Sequence, residues 1–278
     1  MATSNGEDFH STVIDEVAHE AIAVLGTRQQ IQPFSSHFPT LDLADAYAVA
    51  EKVKNARVTR GERAIGRKIG FTNRAVWAGF GITAPIWGYM YDSTVVDLDA
   101  NAGSFSVAAL PEPRIEPELV LHLSQQPQRG MDERALLSCI DWIAHGFEIV
   151  SSIFPKWRFK AADAIAAFGV HSALLIGDRH DVAENADRWF GALSGFTIEL
   201  SGNSGSKQGQ AQSVLGGPLS SLRALVDTLS GYPVSTPLQA GEIVTTGTLT
   251  DAMPLVAGEV WSTRPDGIDL KGLRLLIR

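Results

Sequence analysis

The chain holds a single cysteine, Cys139, among 278 residues. No disulfide can form within it, and a stapled secreted scaffold is excluded. No uninterrupted apolar stretch reaches the roughly 20 residues that a membrane-spanning helix needs. Positive charge is in deficit, with 23 Lys and Arg against 31 Asp and Glu and a formal charge of −8. Without a basic run, such a chain is a poor electrostatic partner for nucleic acid or an anionic membrane. The opening Met1-Ala2-Thr3-Ser4-Asn5-Gly6-Glu7-Asp8 has neither a basic nor an apolar segment, so no secretory leader is expected and a cytoplasmic location is. The sequence also lacks a G-x-S-x-G elbow, a G-x-G-x-x-G turn after a strand, a phosphate-binding lysine loop, H-E-x-x-H and C-x-x-C. The 7 histidines are scattered without ligand spacing, which argues against zinc.

What is present is a large apolar fraction, 45 % against 19 % charged residues, enough for a sizeable core. Three segments carry apolar residues at steps of three and four, the helical period. In 11–26 these are Ile14, Val17, Ala18, Ala21, Ile22 and Leu25, with Gly26 as a stop. In 42–58 they are Leu43, Ala46, Tyr47, Ala50, Val53 and Lys54. In 132–150 they are Leu136, Ile140, Ile143, Ala144 and Phe147, which predicts a third helix with Cys139 as a small buried hydrophobe upon it. All three read as core-packing helices. From residue 64 the texture turns β-rich, in the runs 64–71, 94–98, 119–123, 172–176, 196–200, 242–246 and 273–277. Stretch 201–212 is the most loop-like. Strand and helix do not alternate regularly, which disfavours a doubly wound parallel sheet. The expectation is an α+β chain with a mixed or antiparallel β core, in which a helical N-terminal region (1–61) precedes a β-rich catalytic domain (62–278).

The chemistry concentrates in Pro113-Arg114-Ile115-Glu116-Pro117-Glu118-Leu119-Val120-Leu121. Strand side chains alternate, so Glu116 and Glu118 point to one side. Like charges there repel unless both face water, as on an edge strand interrupted by its proline, or a cation lies between them. The apolar residues that follow carry the strand toward the core, and carboxylates entering a core call for a metal. Oxygen ligands select a hard cation, Mg²⁺ or Mn²⁺. Glu148, at the end of the predicted third helix among apolar neighbours, is a further candidate carboxylate. Lys68, in Gly66-Arg67-Lys68-Ile69-Gly70-Phe71-Thr72, is either an outward-facing charge or the cation that pairs with a substrate carboxylate or moves a proton.

These residues resemble the 2-oxopent-4-enoate hydratase / 4-oxalocrotonate decarboxylase group of the fumarylacetoacetate hydrolase superfamily. The likeness runs from Leu41-Asp42-Leu43-Ala44-Asp45-Ala46-Tyr47 through Arg67-Lys68-Ile69-Gly70-Phe71-Thr72, Pro85-Ile86-Trp87-Gly88, Arg114-Ile115-Glu116-Pro117-Glu118 and Phe147-Glu148-Ile149-Val150. It continues through Val214-Leu215-Gly216-Gly217-Pro218-Leu219 to Gly241-Glu242-Ile243-Val244-Thr245-Thr246-Gly247-Thr248. The resemblance implies a mixed β-roll core with a small helical N-terminal part, and Mg²⁺ or Mn²⁺ held by Glu116, Glu118 and Glu148. It implies proton transfer and substrate binding by Lys68, and a substrate pocket lined by Phe80, with Lys160 and Thr248 nearby. It also implies a homo-oligomer. Two departures stand out. Ile86 occupies a position where hydratases of the group usually carry aspartate and decarboxylases an apolar residue. Ala167-Phe168-Gly169-Val170-His171-Ser172 replaces a usual Asp-Asn-Ala-Ser run, and His171 there either supplies a proton donor or is simply hydrogen-bonded in place.

The implied substrate is a small 2-oxo acid, which chelates a divalent cation through its carboxylate and oxo oxygens. On that basis the expected activity is a lyase of aromatic catabolism acting on 2-oxo or 2-hydroxydienoic acids, either a hydratase or a decarboxylase. C–C hydrolysis of an acylpyruvate and a non-catalytic partner subunit are the rivals.

Overall fold

The computed structural model describes residues 4–232 and 234–278; residues 1–3, where the reading of an absent leader begins, lie outside the described residues. Helix α1 (Ser4–Val24) is followed by the single turn α2 (Phe34–His37) and by α3 (Leu43–Thr59). Asp42 fixes the start of α3. Its carboxylate accepts the amide of Asp45 at 2.9 Å, while the Asp45 carboxylate accepts that of Asp42 at 3.3 Å. The reciprocal cap satisfies two amides that lack intrahelical partners. Val17, Ala21 and Val24 of α1 and Ala46, Tyr47, Val49 and Val53 of α3 are buried in one continuous core with Ile69 and Trp87 of the β region. Tyr47 stacks on Trp87 at 4.8 Å, and Phe34 meets Phe154 edge-on at 5.3 Å. Each such phenylalanine contributes about 1.5–3 kcal/mol by leaving water.

The strands are β1 (Ala64–Gly70), β2 (Ile86–Tyr91), β3 (Val95–Asp97), β4 (Ser104–Phe105), β5 (Arg114–Leu123), β6 (Ile140–Val150), β7 (His171–Asp181), β8 (Thr197–Gly202), β9 (Gly205–Gln210), β10 (Ile243–Thr245), β11 (Met253–Pro254), β12 (Val260–Asp266) and β13 (Arg274–Ile277). Between them lie α4 (Trp77–Phe80), α5 (Glu133–Leu137), α6 (Ala161–Ala166), α7 (Ala186–Leu193) and α8 (Pro218–Leu229). An 8-stranded mixed sheet runs β2-β1-β10-β5-β6-β7-β3, with β11 also on β5, and a 5-stranded sheet runs β4-β13-β12-β8-β9. The architecture is therefore the mixed α+β type expected.

Two expectations fail. The predicted helix over 132–150 is one turn, α5, followed by the long strand β6. β6 pairs with β5 along one edge and β7 along the other, and every residue from Ile143 to Val150 is buried, so both faces are covered and its sequence shows no in/out alternation. Its apolar residues then match a helical period by coincidence. Cys139 is buried at the α5–β6 junction rather than on a helix. The loop expected over 201–212 is mostly the β8–β9 hairpin, in which Thr197 pairs with Gln210 and Gly202 with Gly205. Strand β9, GSKQGQ, is a polar strand on the sheet margin and carries no hydrophobic signal to read.

Pro117 shapes the region that matters. It sits inside β5, yet β10 covers only Val120–His122 on that side and β11 only Arg114–Ile115. The missing proline N–H thus faces a gap in the ladder, where no donor is required. The segment after β10 fills this gap, with Thr246 N donating to Leu119 O at 3.1 Å and Leu249 N to Pro117 O at 3.0 Å.

Candidate metal centre

Three elements converge on the gap. Glu116 and Glu118 project from one face of β5, and Glu148 stands directly opposite Glu116 in the β5–β6 register. The third carboxylate therefore arrives by strand pairing, not from a helix end. Carboxylate oxygens of the three lie within 4.8 Å of one another. Glu118 and Glu148 are wholly buried, while Glu116 is partly open to the cavity. From β1, Lys68 reaches in and places Nζ 3.3 Å from Glu148 Oε2.

Each group is held by a further partner. Gly247 N donates to Glu118 Oε2 at 2.8 Å. A glycine is required there, because φ is +98° and an added Cβ would lie 2.3 Å from Thr72 Oγ1. His171 Nδ1 donates to Glu148 Oε1 at 2.8 Å, and its Nε2 lies 3.0 Å from Thr94 Oγ1. Lys68 Nζ donates to Gly169 O at 3.2 Å. That carbonyl belongs to a turn in which Phe168, Gly169 and Val170 all have left-handed φ, at 64°, 62° and 57°. For the β-branched Val170 this is strained backbone, of a kind that clusters at functional sites. Behind Glu118, buried His145 donates from Nδ1 to the Glu118 carbonyl at 3.0 Å and lies 2.8 Å from Thr263 Oγ1. Burial pushes His145 down to about 4, so it is neutral near pH 7.

Burial and the Glu148 charge push the Glu116 carboxyl up to about 7, against the pull of Lys68 and Arg114. Burial, then Glu148 and Glu116, raise Glu118 well above the ordinary carboxylate range. Burial also opposes the charge on Glu148, but Lys68 and the hydrogen bond from His171 outweigh it and leave Glu148 below that range. Burial disfavours the Lys68 ammonium too, yet Glu148, Glu116 and Glu118 together raise its value. Burial holds His171 low despite Glu148.

The donor set fits a hard dication. Were all three ionised, the carboxylates would set two uncompensated negative charges against the one ammonium, which is why Glu116 and Glu118 hold their protons so tightly without a cation. Glu118 Oε1 and Glu148 Oε2 are buried without a hydrogen-bond partner, the latter 3.3 Å from the Lys68 ammonium. Buried carboxylate oxygens of this kind are costly unless they are protonated or coordinate a cation. Oxygen-only ligands suit Mg²⁺, Mn²⁺ or Ca²⁺ rather than zinc.

Above the trio opens a cavity of about 610 Å³, with Lys68, Glu116 and Glu118 among its lining residues and Phe71, Phe80, Ile86, Phe159 and Val170 as apolar wall. Phe80 stacks on Phe71 at 4.3 Å. Thr248 lines the cavity, its hydroxyl donating to Thr250 O at 2.9 Å. Lys160 does not line it. It is exposed at the start of α6, and its backbone N donates to Asp163 at 2.8 Å. His171 does not line it either, being enclosed behind Glu148. The Gly247 amide, His145 and the strained 168–170 turn were invisible to sequence reasoning, since each acts through backbone geometry or through a neighbour. The departure of 167–172 from its usual pattern marked the turn without revealing its role.

No protein-family model matches the chain. Among curated proteins, the 2-hydroxyhexa-2,4-dienoate hydratase of Comamonas testosteroni is 30 % identical over 239 residues, covering 84 % of this chain and 87 % of that one. The 2-keto-4-pentenoate hydratase of Paraburkholderia xenovorans (strain LB400) is 26 % identical over 259 residues, or 91 % of each. Among solved structures, 4-oxalocrotonate decarboxylase from Pseudomonas putida G7, complexed with magnesium and adipate, superposes with a TM-score of 0.84 at 22 % identity, covering 98 % of both chains. A fumarylacetoacetate hydrolase family protein from yeast superposes with a TM-score of 0.53 at 14 % identity, over 77 % of this chain and 92 % of that one. With its hydratase relatives spanning nearly the full length, the chain belongs to the family of 2-hydroxyhexa-2,4-dienoate and 2-keto-4-pentenoate hydratases, and it shares its fold with 4-oxalocrotonate decarboxylase and with the fumarylacetoacetate hydrolase family protein.

Proposed function

We propose that the chain is a divalent-metal-dependent lyase, a hydratase or decarboxylase acting on small 2-oxo or 2-hydroxydienoic acids of aromatic-compound catabolism. The observation that carries this reading is the convergence of Glu116, Glu118, Glu148 and Lys68 at the base of a cavity with an aromatic and aliphatic flank. The names of the full-length relatives point the same way. Glu116, Glu118 and Glu148 would hold the ion, Mg²⁺ or Mn²⁺ by the hardness of the ligands. When bound, such an ion supplies fixed positive charge against the negative charge that a 2-oxo acid gathers on its oxo oxygen during reaction.

The chain's own residues do the rest. Lys68 is catalytic: of the three donors of its ammonium one goes to Gly169 O, its charge pairs with Glu148, and Nζ would bind substrate or pass it a proton. Phe71, Phe80, Ile86 and Phe159 exclude water from the carbon chain, and Phe80 and Thr248 contact substrate. His171 acts through Glu148 as a positioning residue rather than as a proton donor to substrate. Lys160 stays at the periphery. C–C hydrolysis needs a base to activate water, and among the described residues no histidine lines the cavity, which weighs against an acylpyruvate hydrolase. Retention of the whole acidic trio with Lys68 weighs against a non-catalytic partner subunit. A homo-oligomer in the cytoplasm completes the proposal; among the described residues no helix is long and apolar enough to cross a membrane.

Incubating the Mg²⁺-loaded protein with 2-hydroxypenta-2,4-dienoate and, separately, with 2-oxo-3-hexenedioate tests this, followed by UV absorbance and CO₂ release. Turnover of either that stops with chelator supports a lyase. Silence with both, alongside cleavage of an acylpyruvate, overturns it.

A further inference from the structure

We propose that Arg114 is the receptor for a second, terminal carboxylate, so that the cavity selects a dicarboxylic 2-oxo acid over its monocarboxylic counterpart. The inference rests on the metal-centre reading above and deepens it. Arg114 lies two residues before Glu116 on the same face of β5, about 6.6 Å along the strand at ~3.3 Å per residue. It lines the same cavity as Lys68, Glu116 and Glu118. A 2-oxo acid anchored by its head at the trio and extended along β5 therefore brings its tail to Arg114.

The guanidinium is prepared for an anion. Among the described residues it has neither an ion pair nor a hydrogen bond, and it lies over Trp157, whose ring centroid is 4.3 Å from Cζ. Stacking on an aromatic face orients the planar fork and leaves its N–H edges uncommitted, the geometry that pairs bidentately with a carboxylate. The other cation lining the cavity, Lys68, is already engaged by Glu148 and Gly169. Asp251, also on the cavity wall, is offset by Lys207 at 2.9 Å.

The shelf beneath Arg114 is built at a conformational cost. Trp157 Nε1 donates to Glu112 O at 3.1 Å, and Lys156 N donates to Glu112 Oε1 at 2.9 Å. Glu112, Lys156 and Trp157 all have left-handed φ, at 44°, 60° and 56°, which a surface turn without a task does not need. Glu116 and Arg114 interact at a distance, the cation opposing the rise of the Glu116 carboxyl, but no contact joins them that an incoming anion would have to break.

The test is calorimetric binding of two unreactive ligands with the same chelating head, 2-oxoadipate and 2-oxohexanoate, to the Mg²⁺-loaded full chain, wild type, Arg114→Gln and Arg114→Lys. Each variant is first titrated with Mg²⁺ alone. The expected result is 2-oxoadipate binding about tenfold or more tighter than 2-oxohexanoate in wild type. In Arg114→Gln that preference collapses while 2-oxohexanoate and Mg²⁺ affinity hold, and Arg114→Lys recovers part of it. Equal Mg²⁺-dependent affinity for both ligands in wild type, or an undiminished preference in Arg114→Gln, overturns the inference and leaves the metal centre standing. Absence of any Mg²⁺-dependent binding of either ligand overturns the metal-centre reading, and Arg114's role with it.

Discussion

Replacing Glu116 by glutamine stabilises the metal-free protein, and only where Glu116 would otherwise ionise. In the folded chain burial and the Glu148 charge hold the Glu116 carboxyl at about 7, against an ordinary 4.5. A folded-state value above the unfolded one means that the folded chain binds the proton more tightly. The resulting stability is fully present below pH 4.5 and is lost as pH climbs through 7. At about 1.4 kcal/mol per tenfold change in proton affinity, the loss reaches roughly 3 kcal/mol by pH 8. Glutamine cannot ionise and escapes that loss. The difference between Glu116→Gln and wild type should be near zero at pH 4.5 and grow to roughly 3 kcal/mol at pH 8. For a chain of this size that is about 6–12 °C in Tm. Thermal unfolding in EDTA, scanned for both proteins from pH 4.5 to 8, measures it, and comparison with the variant cancels titrating groups elsewhere. Added Mg²⁺ should invert the order at pH 8, because only wild type keeps the full ligand set. A Tm difference that is flat across pH, or a wild type more stable than the variant at pH 8 without metal, would refute the reasoning.

The remaining predictions concern the groups around the trio. Lys68→Met should lower turnover by about 100-fold or more yet leave Mg²⁺ bound, since it removes a cation 3.3 Å from Glu148; parallel kinetics and metal titration check this. His171→Ala should weaken Mg²⁺ binding roughly 10–100-fold by releasing Glu148 Oε1, as read by calorimetry, with unaltered affinity showing that the imidazole does not orient the ligand. Gly247→Ala forces a left-handed alanine against Thr72 and should cost about 1–3 kcal/mol from the backbone alone, visible in urea unfolding, while weakening metal binding by displacing the backbone amide that donates to Glu118.

The sequence made α3, β1 and the Glu116–Glu118 pair legible because each rests on a local rule, apolar residues at helical spacing, a β-rich run between glycines or side-chain alternation. Glu148 was found as a residue but on the wrong element: strand β6 is buried on both faces, and a two-sided apolar run does not distinguish strand from helix. Only pairing, with Glu148 opposite Glu116, explains why two acids separated by some thirty residues meet. The role of His171 depends on the same non-local fact, since a histidine in a β-rich run reads alike whether it faces a cavity or the back of a carboxylate. The turn at Phe168–Val170 was legible only as a departure. Its function is to aim one carbonyl at Lys68, and no side-chain pattern encodes that. Pro117 was readable as an interruption, and the structure shows what it interrupts: a single flank of β5, just where the trio needs room.

The most direct measurement is an anomalous difference map from crystals soaked in Mn²⁺. The account predicts a strong peak between Glu116, Glu118 and Glu148, about 2.0–2.3 Å from an oxygen of each. That peak should vanish in crystals of Glu118→Ala in which Lys68 keeps its place. A Mn²⁺ peak elsewhere, with the three carboxylates paired to one another through protons, would contradict it.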